Sequence, residues 1–292
     1  MKLTCFLIIM GFTFSGISGQ SGKSLMSFGV IADAQYSPAA PAGTRFYNMS
    51  KVKLTEAYDF FRADSVDFVV NLGDLIDKDY ESYKPMLDII NASGLKTCHV
   101  TGNHDYAVAK NQKRKLPVLN KKGYYSFLKQ NLRLIFLNGN EFSTYSSANT
   151  REKKKAEEYL QTLKDAAAIN AMEWNGSMSV AQLSWFRDEL DDAKLNKQKV
   201  LIFCHFPVYP ENVHNLLNYK EVLQLLEKYD NIVAWFNGHN HAGNYGNFNM
   251  IHFITLRGMV ESESNSYSVV EVYQNKLWIR GFGREKDQIL AY

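Results

Sequence analysis

The amino-acid sequence predicts an α/β fold of two packed sheets flanked by helices. Two observations carry this. Five short apolar runs, at residues 28–32, 68–72, 97–100, 200–203 and 232–236, each stop abruptly at an Asp, Asn or His. Runs of that kind read as buried strands. Helical periodicity fills gaps between them, and strand patterns stand both first and last in the chain, which suggests two sheets with helices outside them.

Taken in order, residues 51–63 predict the first helix, with Leu54, Ala57, Tyr58 and Phe61 on one face. A second helix is expected over 80–91. Past Asp105 a basic loop leads to a hairpin of residues 124–127 and 132–137, meeting near Gln130-Asn131. Residues 138–174 are polar, with one helical stretch near 156–168. They interrupt the alternation and read as an insertion, either a lid or surface decoration. Residues 180–195 form an amphipathic pattern with Leu183, Phe186 and Leu190 on one face and Ser179 as N-cap. Another helix is expected near 219–228, and residues 266–282 predict a terminal hairpin around Gln274-Asn275. There are no repeats and no low-complexity segment.

A chain of 292 residues that is 46% apolar fits one large globular domain. The net charge of +3 is too small for a nucleic-acid footprint, and the basic runs 110–115 and 151–155 read as solvated faces. Lys2, the apolar stretch 3–14 and the small residues of 15–20 follow the order of a secretory signal. The expectation is a leader over 1–19, cleaved after Ser18 or Gly19, and a secreted or periplasmic domain over 24–292. The apolar stretch is too short for a membrane span, and Cys5 precedes it, unlike a lipid-attachment cysteine. Cys98 and Cys204 are expected as buried free thiols, with a disulfide as the alternative. Glycosylation triplets begin at Asn48, Asn91 and Asn175. The oligomeric state is open.

The chemistry lies in the motifs that end the strands: Asp33-Ala34-Gln35, Gly73-Asp74-Leu75-Ile76-Asp77, Gly102-Asn103-His104-Asp105, His205, and Gly238-His239-Asn240-His241. Their donors are O and N without thiolate, which suits Mn, Mg, Fe or Zn in a hydrolytic centre rather than a structural zinc. Two ions roughly 3.5–4 Å apart can clamp a phosphoryl group and generate hydroxide near neutral pH. Asp74, after Gly73 on a tight turn, is the natural bridge, offering one oxygen to each ion. Asp33 and Gln35 stand one residue apart and can reach one ion. His239 and His241 share that spacing, Asn103 offers a carbonyl oxygen, and His205 ends its own strand. Each motif alone is weak evidence; five in order after strands are not. His99, His214 and His252 fall outside the motifs and read as structural.

This set resembles the calcineurin-like metallophosphoesterase superfamily. The resemblance implies a four-layer α/β/β/α sandwich with a dinuclear centre where the strand ends meet. It implies that Asp33, Gln35 and His241 hold one ion, that Asn103, His205 and His239 hold the other, and that Asp74 bridges. His104 would face the phosphate and assist the leaving group, with Asp105 orienting it. Most of the superfamily has His in place of Gln35, and a carboxamide oxygen is harder than imidazole, which tilts that position towards Mn or Mg. Purple acid phosphatases carry Tyr in place of Asp77, so a redox-inert divalent pair is implied here.

Gln35 also marks one branch, the manganese-dependent ADP-ribose/CDP-alcohol diphosphatases. Gly43-Thr44-Arg45-Phe46-Tyr47, Trp174-Asn175-Gly176, Asn218-Tyr219, Gly243-Asn244-Tyr245 and Gly281-Phe282-Gly283-Arg284 are similar to that branch. The loop between Tyr36 and Arg45 is shorter, with Pro and Ala in place of an aromatic, and the central insertion differs. The resemblance implies a two-metal, Mn-dependent hydrolase of a phosphoanhydride or phosphoester bond in nucleoside diphosphate conjugates; the leader, not the resemblance, makes it an exported one, since members of that branch are often intracellular. The alternatives are a broader phosphomonoesterase or phosphodiesterase, and a non-catalytic scaffold, which would show a degraded ligand set. Expected substrate contacts are Arg45, pairing with a phosphate, and Tyr36 and Tyr245, stacking on a base.

Overall fold

The computed structural model describes residues 22–111, 114–118, 122–146 and 150–292; the expected leader lies outside them. The elements run β1 (Met26–Ile31), α1 (Ser50–Ala63), β2 (Phe68–Asn71), α2 (Tyr83–Ala92), β3 (Thr97–His99), α3 (Asn103–Asn111), β4 (Tyr125–Lys129) and β5 (Leu132–Phe136). They continue with α4 (Thr150–Asp165), α5 (Val180–Leu195), β6 (Lys199–Phe203), α6 (Tyr219–Leu226), β7 (Ile232–Asn237), β8 (Asn244–Phe248), β9 (Ile251–Thr255), β10 (Ser266–Val272), β11 (Lys276–Gly283) and β12 (Gln288–Ala291).

Two six-stranded sheets result, in the orders β12-β11-β10-β1-β2-β3 and β4-β5-β6-β7-β9-β8. Within the first, β1, β2 and β3 run parallel, with Ile31 beside Asn71 and Asn71 beside His99. Within the second, β5, β6, β7 and β9 run parallel. The aligned register brings the C-terminal ends of parallel strands from both sheets to one rim, where such folds bind ligands.

The apolar faces explain the layers. Phe28, Val70, Phe136, Phe203, Phe236 and Val270 fill the space between the sheets. Phe136, Phe203 and Phe236 stack there with ring centroids 4.7 and 5.5 Å apart. Leu54, Ala57, Tyr58 and Phe61 of α1 join Met86 and Ile90 of α2 against the outer face of the first sheet. Phe186 and Leu190 of α5 and Val222 and Leu226 of α6 cover the second. The layers are therefore α/β/β/α. Ser179 caps α5, accepting a bond from the Gln182 N–H at 3.1 Å, a contact typically worth about 1 kcal/mol.

Cys98 and Cys204 are buried and unbonded to each other. On α4 the basic run is solvated, with Lys153 and Lys154 each facing a glutamate one turn on. The stretch just past Asp105, expected as a basic loop, is instead helical as far as Asn111, the body of α3. Among the described residues no helix is long and apolar enough to cross a membrane.

Candidate metal centre

The rim loops are wound tightly. Asp33, Gln35, Asp74 and His239 all have left-handed backbones, with φ of 51°, 43°, 52° and 66°. Conformations of this kind cost about 1–3 kcal/mol each in non-glycine residues and persist where surroundings enforce them. Here the loops bind one another: Asp33 N–H donates to Gly73 O at 3.1 Å, Gln35 N–H to Asp74 O at 2.8 Å, and Gly238 N–H to His205 O at 3.0 Å. Gly102 is required by crowding, since a Cβ there would lie 2.0 Å from Asp74 Oδ1. Gly73, at φ +101°, would put a Cβ 2.8 Å from His205 Nδ1.

The side chains converge as two groups. His241 Nε2 lies 3.3 Å from Gln35 Nε2 and 3.5 Å from Asp33 Oδ1. His205 Nε2 lies 3.2 Å from Asn103 Oδ1, and Asp74, His205 and His239 bring ligand atoms within 4.8 Å of one another. Asp74 stands between the groups, with Oδ2 3.2 Å from Gln35 Nε2 and 3.4 Å from His205 Nε2. Its Oδ1 accepts the His104 backbone N–H at 2.9 Å. The sequence expectation of one carboxylate oxygen per group is corrected: one oxygen faces both groups, because the other is committed to the loop. Gln35 Oε1 is buried without a hydrogen-bond partner among the described residues. A half-turn of that amide would place the oxygen among acceptors. Buried carboxylates, an orphaned carbonyl and imidazole lone pairs together fit a cation rather than hydrogen bonds.

Each histidine has one ring nitrogen tied to an acceptor. His205 Nδ1 lies 2.8 Å from Leu72 O, and His241 Nδ1 lies 2.8 Å from Glu261 Oε1. His239 Nε2 lies 2.9 Å from Asn175 Oδ1, and His104 Nδ1 lies 2.7 Å from Asp77 Oδ1. The tied nitrogen donates, so the other is left free to coordinate or to move a proton. Burial opposes charge on His205 and His241, but Asp74 and Asp33 outweigh it and push each up to about 9. Burial and the neighbouring His205 push His239 well below its ordinary value. The His241 hydrogen bond holds Glu261 down to about 2. The centre thus attracts positive charge strongly.

A cavity of about 310 Å³ opens over these groups. Gln35, Asp74, Asn103, His104, His239 and His241 line it together with Arg45, Trp174 and His214. Arg45 Nε is held 3.5 Å from Glu261.

Several expectations need correction. Asp105 does not orient His104. It is fully buried and accepts the N–H groups of Asp74, Leu75 and Gly102 and the Tyr83 hydroxyl, tying two rim loops together. The residue that holds His104 is Asp77. Tyr36 and Tyr245 do not line this cavity: Tyr36 packs on the α1–α2 core, and the Tyr245 hydroxyl bonds His252 at 2.9 Å. His214, expected as structural, lines the cavity, with its ring 5.4 Å from His239. Asn175 is 1% exposed, so its triplet offers no accessible acceptor for a glycan. Sequence reasoning missed Asp77, Asn175, Glu261 and His214 as site residues; only Asp77 and Asn175 stood inside motifs already singled out.

Comparison with known proteins agrees with this geometry. A family model described as calcineurin-like phosphoesterase matches residues 26–243. A human protein named manganese-dependent ADP-ribose/CDP-alcohol diphosphatase is 26% identical over 93% of this chain and 94% of its own. The rice (Oryza sativa subsp. japonica) protein of that name is 27% identical over 97% and 99%. A dimetal phosphatase from Danio rerio superposes with a TM-score of 0.84 at 23% identity, covering 92% of this chain and 100% of its own. A purple acid phosphatase from yellow lupin shares the fold more loosely, with a TM-score of 0.55, 13% identity, and coverage of 91% and 52%. With the family match spanning every rim motif and the fold built to present them, the chain belongs to the calcineurin-like phosphoesterase family, and it is a metal-dependent hydrolase of phosphoric esters or anhydrides.

Proposed function

We propose that this protein is a manganese-dependent hydrolase of nucleoside diphosphate conjugates of the ADP-ribose and CDP-alcohol kind. The observation that carries the reading is end-to-end similarity to relatives that bear that name, extending over nearly the whole of both chains. The cavity supports it. Its polar lining carries the phosphate chemistry, while Trp174, 46% exposed, gives it an aromatic face suited to a nucleobase. Asp33, Gln35 and His241 would hold one ion and Asn103, His205 and His239 the other, with Asp74 between. Bound divalent ions supply Lewis acidity and activate water. The chain's own groups do the rest. Arg45 binds a phosphate oxygen, the cavity orients the phosphorus for in-line attack, and His104 protonates the departing oxygen.

The test is a hydrolysis screen of purified protein loaded with Mn, Mg or Zn. It compares ADP-ribose, CDP-choline, CDP-glycerol, p-nitrophenyl phosphate and bis-p-nitrophenyl phosphate. The nucleotide conjugates with Mn should give the highest kcat/KM. Greater activity on the aryl esters would favour a broad phosphoesterase instead.

Trp174→Ala should raise KM for ADP-ribose with kcat little changed, because stacking contributes about 1–3 kcal/mol equally to ground and transition states. Initial-rate kinetics check this, and an unchanged KM removes Trp174 from the substrate site. We also infer export, supported by the basic, apolar and small-residue order of residues 1–19. An N-terminus at residue 1 on protein recovered from its native source would count against it.

A further inference from the structure

We infer that Asn175 is a positioning residue: it fixes His239 as the Nε2–H tautomer, so that Nδ1 carries the lone pair offered to the ion shared with Asn103 and His205. The inference rests on the two-ion reading above. Asn175 Nδ2 donates to Asn170 O at 2.9 Å and to Val213 O at 2.7 Å. Turning the amide over would press its oxygen against two carbonyls, so its orientation is set and Oδ1 can only accept. Among the described residues the donor it meets is His239 Nε2, at 2.9 Å. Asn175 and His239 are 1% and 8% exposed, so water does not compete for the bond.

The polar stretch that precedes Asn175 also reaches a second loop of that same ion group. Asn140 Nδ2 donates to Thr101 O at 2.7 Å, just ahead of Gly102-Asn103, and the Tyr145 hydroxyl donates to Asn140 Oδ1 at 2.8 Å. Asn140, Tyr145 and Asn175 therefore buttress one half of the centre, while His241 in the other half is held by Glu261. Removing the buttress at Asn175 should weaken one ion and leave the other.

The experiment titrates metal-free wild-type, Asn175→Ala and Asn231→Ala proteins with Mn(II) by calorimetry. It also records ¹⁵N imidazole shifts of His239 in the metal-free wild-type protein. Asn175→Ala is expected to weaken one Mn site roughly 10–100-fold and spare the other. Asn231→Ala removes a comparable buried bond, Nδ2 to Gln198 O at 2.9 Å, ahead of β7 and away from the rim, and should keep both affinities even if its Tm falls. Wild-type His239 should be protonated at Nε2. Two unchanged sites in Asn175→Ala, or equal weakening in Asn231→Ala, overturn the inference alone. If Asn175→Ala does not fold, the tautomer decides, and Nδ1–H at His239 overturns it. A wild-type protein that binds no Mn overturns the two-ion reading, and this inference with it.

Discussion

Asp74→Asn is expected to abolish turnover and release both ions. Asp74 Oδ2 faces Gln35 on one side and His205 on the other, and no other carboxylate of the described site spans the two groups. The His104 N–H bond to Oδ1 would hold the carbonyl end of the new amide in place, turning its NH₂ towards both groups. A shared anion would thus become a pair of donors aimed at two cations. Burial makes this worse, since Asp74 is 0% exposed and charge is poorly screened there. The fold should survive, because Asp105 holds the loop independently through the Asp74 and Leu75 N–H groups. The prediction is a folded protein, by circular dichroism, with under about a tenth of wild-type metal by mass spectrometry and activity down at least ~10³-fold. Near-normal metal content with retained activity would show that Asp74 is not the bridge.

The legible part of this protein was its skeleton. Buried parallel strands must be apolar on both faces, so β1, β2, β6 and β7 announced themselves, and each ended where a donor residue broke the run. The α5 helix was readable to the residue, because Ser179 caps it and Phe186 and Leu190 repeat on one face. Edge elements were not. In β8, Asn244–Phe248, Gly246 is the one buried position, so neither an apolar run nor clean alternation marks it. The start of α3 was hidden because its first residues, Asn103-His104-Asp105, are spent on the rim. Inside the site, the residues that hold the histidines could not be found by spacing. Asn175 reaches His239 across 64 positions and Asp77 reaches His104 across 27, and both partners are set by packing. Asp105 was misassigned for the same reason. Adjacent in sequence to His104, it points the other way, into the turn of α3.

His104→Ala should lower kcat roughly 10²–10⁴-fold on substrates with poor leaving groups, the usual contribution of a positioned acid. Its Nδ1 is tied to Asp77, which leaves Nε2 for the cavity. Burial opposes its protonation, but Asp74 and Asp77 prevail and raise its pKa above the ordinary value, which favours the protonated ring that an acid requires. Metal content should be unchanged, because the contact from residue 104 to Asp74 is made by backbone N–H, which alanine keeps. Asp77→Asn should have a smaller effect with a distinct signature. The acid form works below its pKa and is lost as pH rises through it. Removing the Asp77 carboxylate lowers that pKa, so the alkaline limb of the kcat profile should move to lower pH. Leaving-group chemistry separates this role from simple crowding. A p-nitrophenolate departs with little need of a proton, whereas a sugar or alcohol phosphate needs more help. The loss in His104→Ala should therefore be much smaller on p-nitrophenyl phosphate than on ADP-ribose. Equal losses on both, or a drop in bound metal, would show that His104 is not the acid.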